Sequence, residues 1–156
     1  MIKLLRTSSD NPDFLVLVKL LDADLAIRDG DEHTFYSQFN TLINIKHVVV
    51  AYNDYEPAGC GAIKKYASNT MEVKRMYVRP EMRRKGIAAK ILTELEKWAA
   101  ELSCTKCILE TGKKQPEAIE LYKRNGYTSI PNYGQYIGVE NSVCFEKKLR
   151  NKNNIL

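Results

Sequence analysis

The chain is expected to fold as an α/β domain with a mixed central sheet of about six or seven strands flanked by about four helices. Three features of the sequence carry that expectation. Three strand-like runs follow one another with only short turns between them. An amphipathic helical pattern begins directly after a basic loop, and a strand, a helix and a last pair of strands then complete the chain.

Taken in order, "IKLLR" reads as a short first strand. Asn11-Pro12 then opens a helix, the Asn side chain capping it and the Pro sitting in a first turn that needs no N–H. Phe14, Leu17, Val18, Leu21 and Leu25 follow at helical spacing, and Gly30 can end the helix. A weaker helical pattern covers His33 to Leu42, with Phe35 and Phe39 on one face. "KHVVVAYN", "AGCGAIKKY" and "TMEVKRMYV", separated by "NDYEP" and "SNT", are antiparallel neighbours. Gly59 and Gly61 lie inside the second of these runs and mark a bulge or a place of close packing. Ile87, Ile91, Leu95, Trp98, Ala99 and Leu102 form one apolar stripe on the next helix. "KCILET" is a buried strand, Pro116 to Asn125 a helix with Gly126 past its end, and "YTSI" with "NSVCFEKKL" a final pair of strands. Residues 1–150 thus form a single domain, and 151–156 a C-terminal tail.

With 156 residues, 44% of them apolar and 28% charged, the chain can bury a core without crosslinks. No apolar run reaches the length of a membrane span, and "MIKLLRT" is too short for the apolar region of a signal peptide, so a cytoplasmic protein is expected. The net charge of +5 suits an anionic partner without deciding which. Cys104 and Cys107 have no second pair and no nearby His to complete a metal site, and no metal is expected. "CTKC" also falls between a helix and a strand, whereas a redox motif should open a helix. These cysteines, like Cys60 and Cys144, read as buried free thiols.

The chemistry concentrates at "RRKGIAAK". A helix N-terminus is electropositive already, so three cations leading into it cost energy unless an anion sits in front. Gly86 and Ala88 lack bulk and let a ligand approach the backbone, the unpaired N–H groups of the helix face it, and Arg84 and Lys85 add charge. That combination is a phosphate cradle. No GxxxxGK[ST] motif is present. Nucleic-acid binding through the same loop is disfavoured, because there is one compact basic cluster and no row of aromatics to stack bases.

"MYVRPEMRRKGIAAKIL" resembles the central motif of the GCN5-related N-acetyltransferases (the GNAT superfamily), a strand followed by [RQ]-x-x-G-x-[GA], here Arg83, Gly86 and Ala88. "QPEAIELYKRNGY" is similar to the family's second signature at Ala118, Leu121, Tyr122, Gly126 and Tyr127, with Gln115 where the family often has Asn. The resemblance spans about Met71 to Tyr127. It implies the GNAT fold and acetyl-CoA as co-substrate, with the pyrophosphate on the backbone of Arg84, Lys85, Gly86, Ile87, Ala88 and Ala89. It further implies a splayed strand whose Met76, Tyr77 and Val78 pair with the pantetheine arm and hold the thioester carbonyl. Gln115 offers its amide to the same arm.

Two side chains are candidates for proton transfer. Glu72 lies on the strand of Met76 and Val78, where even spacing would put all three on one face, and some family members carry a general-base Glu there. Glu110 is the second candidate. Tyr122 matches the family's frequent general acid. The implied reaction is acetylation of a primary amine by direct attack in a ternary complex, as no Cys stands at a motif position suited to an acyl-enzyme. Asp24, Asp29, Asp31 and Glu32 would suit a cationic acceptor; the walls of the acceptor pocket are implied at Asp22 to Phe39 and "PNYGQYIGVENS". A non-catalytic acyl-CoA sensor on the same fold is the alternative, and family relatives suggest a homodimer.

Overall fold

A computed structural model describes residues 1–30 and 45–150. Its elements are β1 (Ile2–Thr7), α1 (Pro12–Asp29), β2 (His47–Asn53), β3 (Glu56–Ala67), β4 (Thr70–Val78), α2 (Ile87–Glu101), β5 (Lys106–Gly112), α3 (Pro116–Arg124), β6 (Thr128–Ile130) and β7 (Ser142–Lys148). Short 3₁₀ turns cover Pro80–Met82 and Gly134–Tyr136. The seven strands hydrogen-bond in the order β1-β2-β3-β4-β5-β7-β6. The expected mixed sheet is present, antiparallel from β1 to β3 and parallel where β4 meets β5. The helix expected over His33 to Leu42 and the tail at 151–156 lie outside the described residues.

Two compact units divide the chain, Met1–Lys64 with Val73–Leu95, and Lys65–Glu72 with Glu96–Leu156. In the first, Asn11 Oδ1 accepts from the backbone N–H of Asp13 at 2.9 Å and of Phe14 at 3.1 Å, so the predicted cap starts α1. Phe14, Leu17, Val18 and Leu21 then pack on Val48, Val50, Cys60, Ala62 and Tyr77, with Leu25 partly buried beside them. Arg6 at the start of the sheet donates to Glu94 of α2 at 2.7 Å.

Both readings of the β3 glycines hold. The register of β2 on β3 slips between Ala51 and Tyr52, so Ala58 is an extra residue and β3 bulges beside Gly59. A Cβ on Gly59 would lie 2.7 Å from the backbone oxygen of Tyr77, and one on Gly61 2.5 Å from Met76 Sδ and 2.9 Å from Ile91 and Leu95. Gly59→Ala meets rigid backbone, Gly61→Ala movable side chains. Chemical denaturation should therefore show Gly59→Ala costing about 2 kcal/mol and Gly61→Ala about half that, within the range of overpacked cores. The reverse ranking would mean that the strand, not the side chains, gives way.

The second unit is built on β5, which pairs antiparallel with β7, itself paired with β6. Leu109, Cys107, Phe145, Tyr122 and Tyr127 are buried here. Glu96 anchors it, accepting from the Tyr127 hydroxyl at 3.0 Å and from Lys147 Nζ at 2.8 Å. Asn132 ties the long β6–β7 connection together, its amide nitrogen donating to the carbonyls of Tyr136, Val139 and Ser142, each at 3.1 Å. Of the predicted α2 stripe, Ile87, Ile91, Leu95 and Ala99 are buried, whereas Leu102 is 40% exposed, because the helix ends at Glu101 before completing that turn. All four cysteines are free and buried.

Candidate active site

The basic loop is shaped by left-handed backbone. Arg84 has φ +67° and Gly86 φ +77°, a conformation that Gly adopts freely and Arg does not. The first helical hydrogen bond of α2 runs from Lys90 N–H to the Gly86 carbonyl at 3.1 Å. The N–H groups of Ile87, Ala88 and Ala89 therefore precede the ladder, and a Cβ built on Gly86 meets nothing within 4 Å. Arg84, Lys85 and Gly86 are exposed, Ala88 and Ala89 half-buried, and Ile87 is buried as an anchor of the helix. Arg83 has a different use: its Nε donates to the Val78 carbonyl at 2.8 Å, and its guanidinium lies 5.7 Å over the Tyr77 ring. It braces the loop against the strand that feeds it. Arg79, donating to the Pro57 carbonyl at 2.7 Å, does the same one turn earlier. Backbone donors that precede a helical ladder, on an exposed loop flanked by cations, are what a pyrophosphate requires, and these residues fit that group.

Strand β4 departs from the expected alternation. Arg75 is a non-glycine residue at φ +60° in mid-strand. Before it, Met71 pairs with Cys107, which pairs in turn with Lys147, and Lys147 donates to Glu96 of α2. After it, Met76 and Ile91 of the same helix both border the position of a Cβ on Gly61, and Val78 and Ile91 that of one on Gly59. Met71 and Met76 therefore both face α2 although they stand an odd five positions apart, the left-handed Arg75 between them breaking the alternation as a bulge would. The expectation that Glu72 shares a face with Met76 and Val78 is thus corrected: Glu72, adjacent to Met71, points away from α2. Tyr77 also points away from α2, into the core around α1. The parallel ladder with β5 runs over Thr70–Glu72 against Lys106–Ile108 and ends at Glu72.

Glu72 is buried and accepts from the Tyr133 hydroxyl at 2.6 Å. Tyr133 packs edge-on against Tyr66 at 5.2 Å and Tyr136 at 5.8 Å. Glu110, at the end of β5, accepts from Ser142 Oγ at 2.7 Å. Burial, then Glu110 and Glu72, push the Tyr136 hydroxyl above the usual tyrosine range, so both carboxylates act on one phenol. The two candidate bases belong to one cluster with Tyr133, Tyr136 and Ser142. Of these partners the sequence reading named only the stretch "PNYGQYIGVENS"; the spacing of Tyr133 and Tyr136 in a Gly-containing loop is the signal that could have singled them out.

Tyr122, on α3, is 6% exposed, 5.8 Å from Tyr127 and 6.3 Å from Phe145 between ring centres. Burial first and Glu110 second raise its pKa well above the ordinary value. Its hydroxyl therefore stays protonated across the physiological range. Gln115 precedes α3 without capping it by a side-chain hydrogen bond, and its amide nitrogen lies 3.6 Å from the position of a Cβ on Gly112. Of the acidic residues suited to a cationic acceptor, the two described ones are engaged or buried. Asp24 pairs with Arg28 at 3.2 Å and Asp29 is buried, while Asp31 and Glu32 fall outside the described residues.

Comparison with known proteins shows what the chain is similar to. The chain is 36% identical over 134 residues, 80% of each sequence, to the uncharacterized N-acetyltransferase YjgM of Escherichia coli. It superposes with TM-score 0.80 and 30% identity on a Klebsiella pneumoniae protein assigned as an acyl-CoA N-acyltransferase, covering 96% of this chain and 99% of that one. The PaiA N-acetyltransferase of Thermoplasma acidophilum, solved in complex with coenzyme A, shares the fold at TM-score 0.70 and 19% identity, over 95% and 99% of the two chains. The profile of the Acetyltransferase (GNAT) family matches residues 15–127, and the chain belongs to that family.

Proposed function

We propose that the chain transfers the acetyl group of acetyl-CoA to a primary amine by direct attack in a ternary complex, residues 1–150 acting as one acetyltransferase domain. The observation that carries this reading is the loop entering α2, where two left-handed residues and three amides preceding the helical ladder open onto free space. Arg84, Lys85, Gly86, Ile87, Ala88 and Ala89 hold the pyrophosphate, with Arg83 bracing them. Bound acetyl-CoA supplies a thioester whose C–S bond breaks as the amine nitrogen forms the new C–N bond. Met76, Tyr77 and Val78 offer backbone beyond the end of the β5 ladder to its arm and carbonyl, where an N–H stabilises developing negative charge. Gln115, uncommitted to its helix, offers its amide to the arm. Glu72, held by Tyr133, takes the proton from the amine through water, and Glu110 is the second base candidate. Burial pushes the thiols of Cys60 and Cys107 up to about 12, which argues against a covalent acyl-enzyme.

The test is turnover of acetyl-CoA against a panel of amines, amino acids, peptides and aminoglycosides, with the N-acetyl product identified by mass. Tight coenzyme A binding with no product from any acceptor would instead make the chain an acyl-CoA-binding module. Within an active pair, Glu72→Gln keeps size and hydrogen bonding but removes basicity. It should lower kcat about tenfold or more, leave acetyl-CoA affinity intact, and move the rising limb of the pH–rate profile towards the pKa of the acceptor amine. An unchanged profile assigns the proton to Glu110 or to solvent. We place the enzyme in the cytoplasm as a homodimer, on the family resemblance and on the absence of any described helix long and apolar enough to cross a membrane. Light scattering on the purified chain tests the dimer.

A further inference from the structure

Arg75 carries more donors than the described residues fill. Its side chain is 1% exposed, and Nη2 donates to Asp22 Oδ1 of α1 at 2.6 Å. Nε and Nη1 are buried and have no hydrogen-bond partner among the described residues. A guanidinium has five N–H donors and cannot shed its charge by deprotonation, so only an acceptor relieves the cost of burying them. The nearby thiol is no such acceptor. Cys60 donates its own hydrogen to the Arg75 carbonyl at 3.3 Å, and burial holds its thiol protonated. Unfilled buried donors are rare enough that each requires a cause, and a ligand that brings its own oxygen is one.

The chemistry of that ligand follows from the charge already present. Asp22 cancels the charge of Arg75, so an added monoanion leaves the buried group at one net negative charge, while an added phosphate dianion would leave two. Among anions, a carboxylate adds the smaller charge, and its planar pair of oxygens makes stronger, charge-assisted hydrogen bonds to a guanidinium than a neutral oxygen does. The ion pair meets solvent at its Asp22 end, where the side chain is 51% exposed. Arg75 also directly precedes Met76, about 3.8 Å away between Cα atoms, as across any trans peptide. A small molecule held at Arg75 lies within its own length of the strand assigned above to the thioester.

We propose that Arg75 anchors a carboxylate of the acceptor, so that the amine acetylated belongs to an amino acid or a similarly small amine bearing a carboxylate. The identity of the ligand as acceptor rests on the acetyltransferase reading; the carboxylate site itself does not. In the wild-type enzyme, kcat/KM for the common amino acids is compared with that for their amides, on the basis of free-amine concentration. At least one acid should exceed its amide by about ten- to a hundredfold, since a site built to pair a polar group rejects the analogue that lacks it. Arg75→Lys, folded by circular dichroism, should erase that preference with acetyl-CoA affinity unchanged. A second arm needs no turnover: N-acetyl amino acids and N-acetyl amino acid amides are titrated calorimetrically into the coenzyme A complex. Amides that match acids in both arms would mean that water alone fills the donors, which overturns the proposal and leaves the acetyltransferase standing. Acids bound through Arg75 without acetylation of any amine would uphold the site and overturn the acetyltransferase reading.

Discussion

Gly86→Val is expected to abolish measurable binding of coenzyme A while the chain remains folded. Two effects add. The backbone at Gly86 has φ +77°, where a β-branched residue is strained by an amount of order 1–3 kcal/mol, so the loop tends to leave the shape that turns its amides outward. The space that the Val side chain would enter is open, so no neighbour is displaced and the core is untouched. That same open space is where the pyrophosphate is assigned, and branched carbon there excludes it. Isothermal titration should show a loss of at least about a hundredfold, equivalent to about 2.7 kcal/mol. Gly86→Ala, with less bulk and a milder strain, should fall between the variant and the parent. Unchanged affinity in a folded Gly86→Val protein would remove the loop from the cofactor site.

Tyr122→Phe should fold normally, bind acetyl-CoA, and lose about ten- to a thousandfold in kcat. The ring contacts with Tyr127 and Phe145 survive the change, so packing is kept. What is lost is one O–H in a buried setting, where burial and Glu110 hold the hydroxyl protonated at every pH the cell presents. Those same causes make it a weak acid. A thiol has a pKa of about 8.5, so complete transfer from Tyr122 to a departing thiolate is uphill. The role that fits is donation of a hydrogen bond that strengthens as charge gathers on sulfur. A thioester with a more acidic leaving thiol should therefore be far less sensitive to the substitution. Equal losses for both leaving groups would assign Tyr122 to packing.

Much of the fold was legible because its signals are local. Asn11-Pro12 announced α1, and β4 falls on Thr70–Val78, the full stretch "TMEVKRMYV". The start of α2 after a loop of Gly, small residues and cations was legible too, since these stand together in the chain. The direction of Glu72 was not. Parity counting fails wherever a strand takes an extra residue, and bulges of this hand usually advertise themselves with glycine, whereas Arg occupies the position here. The partners Tyr133 and Ser142 were also out of reach. They meet Glu72 and Glu110 across 61 and 32 residues, a separation at which sequence spacing carries no geometric information.

That arginine also bears on how the protein can be improved. A left-handed backbone site is the first place a protein engineer would put glycine, and doing so at position 75 would relieve strain at once. The chain instead keeps a long cation there, tied to α1 through Asp22 and short of acceptors for its other nitrogens among the described residues. Selection for thermal tolerance alone should drift towards small residues at this position and towards neutral ones at Asp22. Selection that also demands catalysis should hold both, which makes the pair a marker of the boundary between robustness and activity in this enzyme.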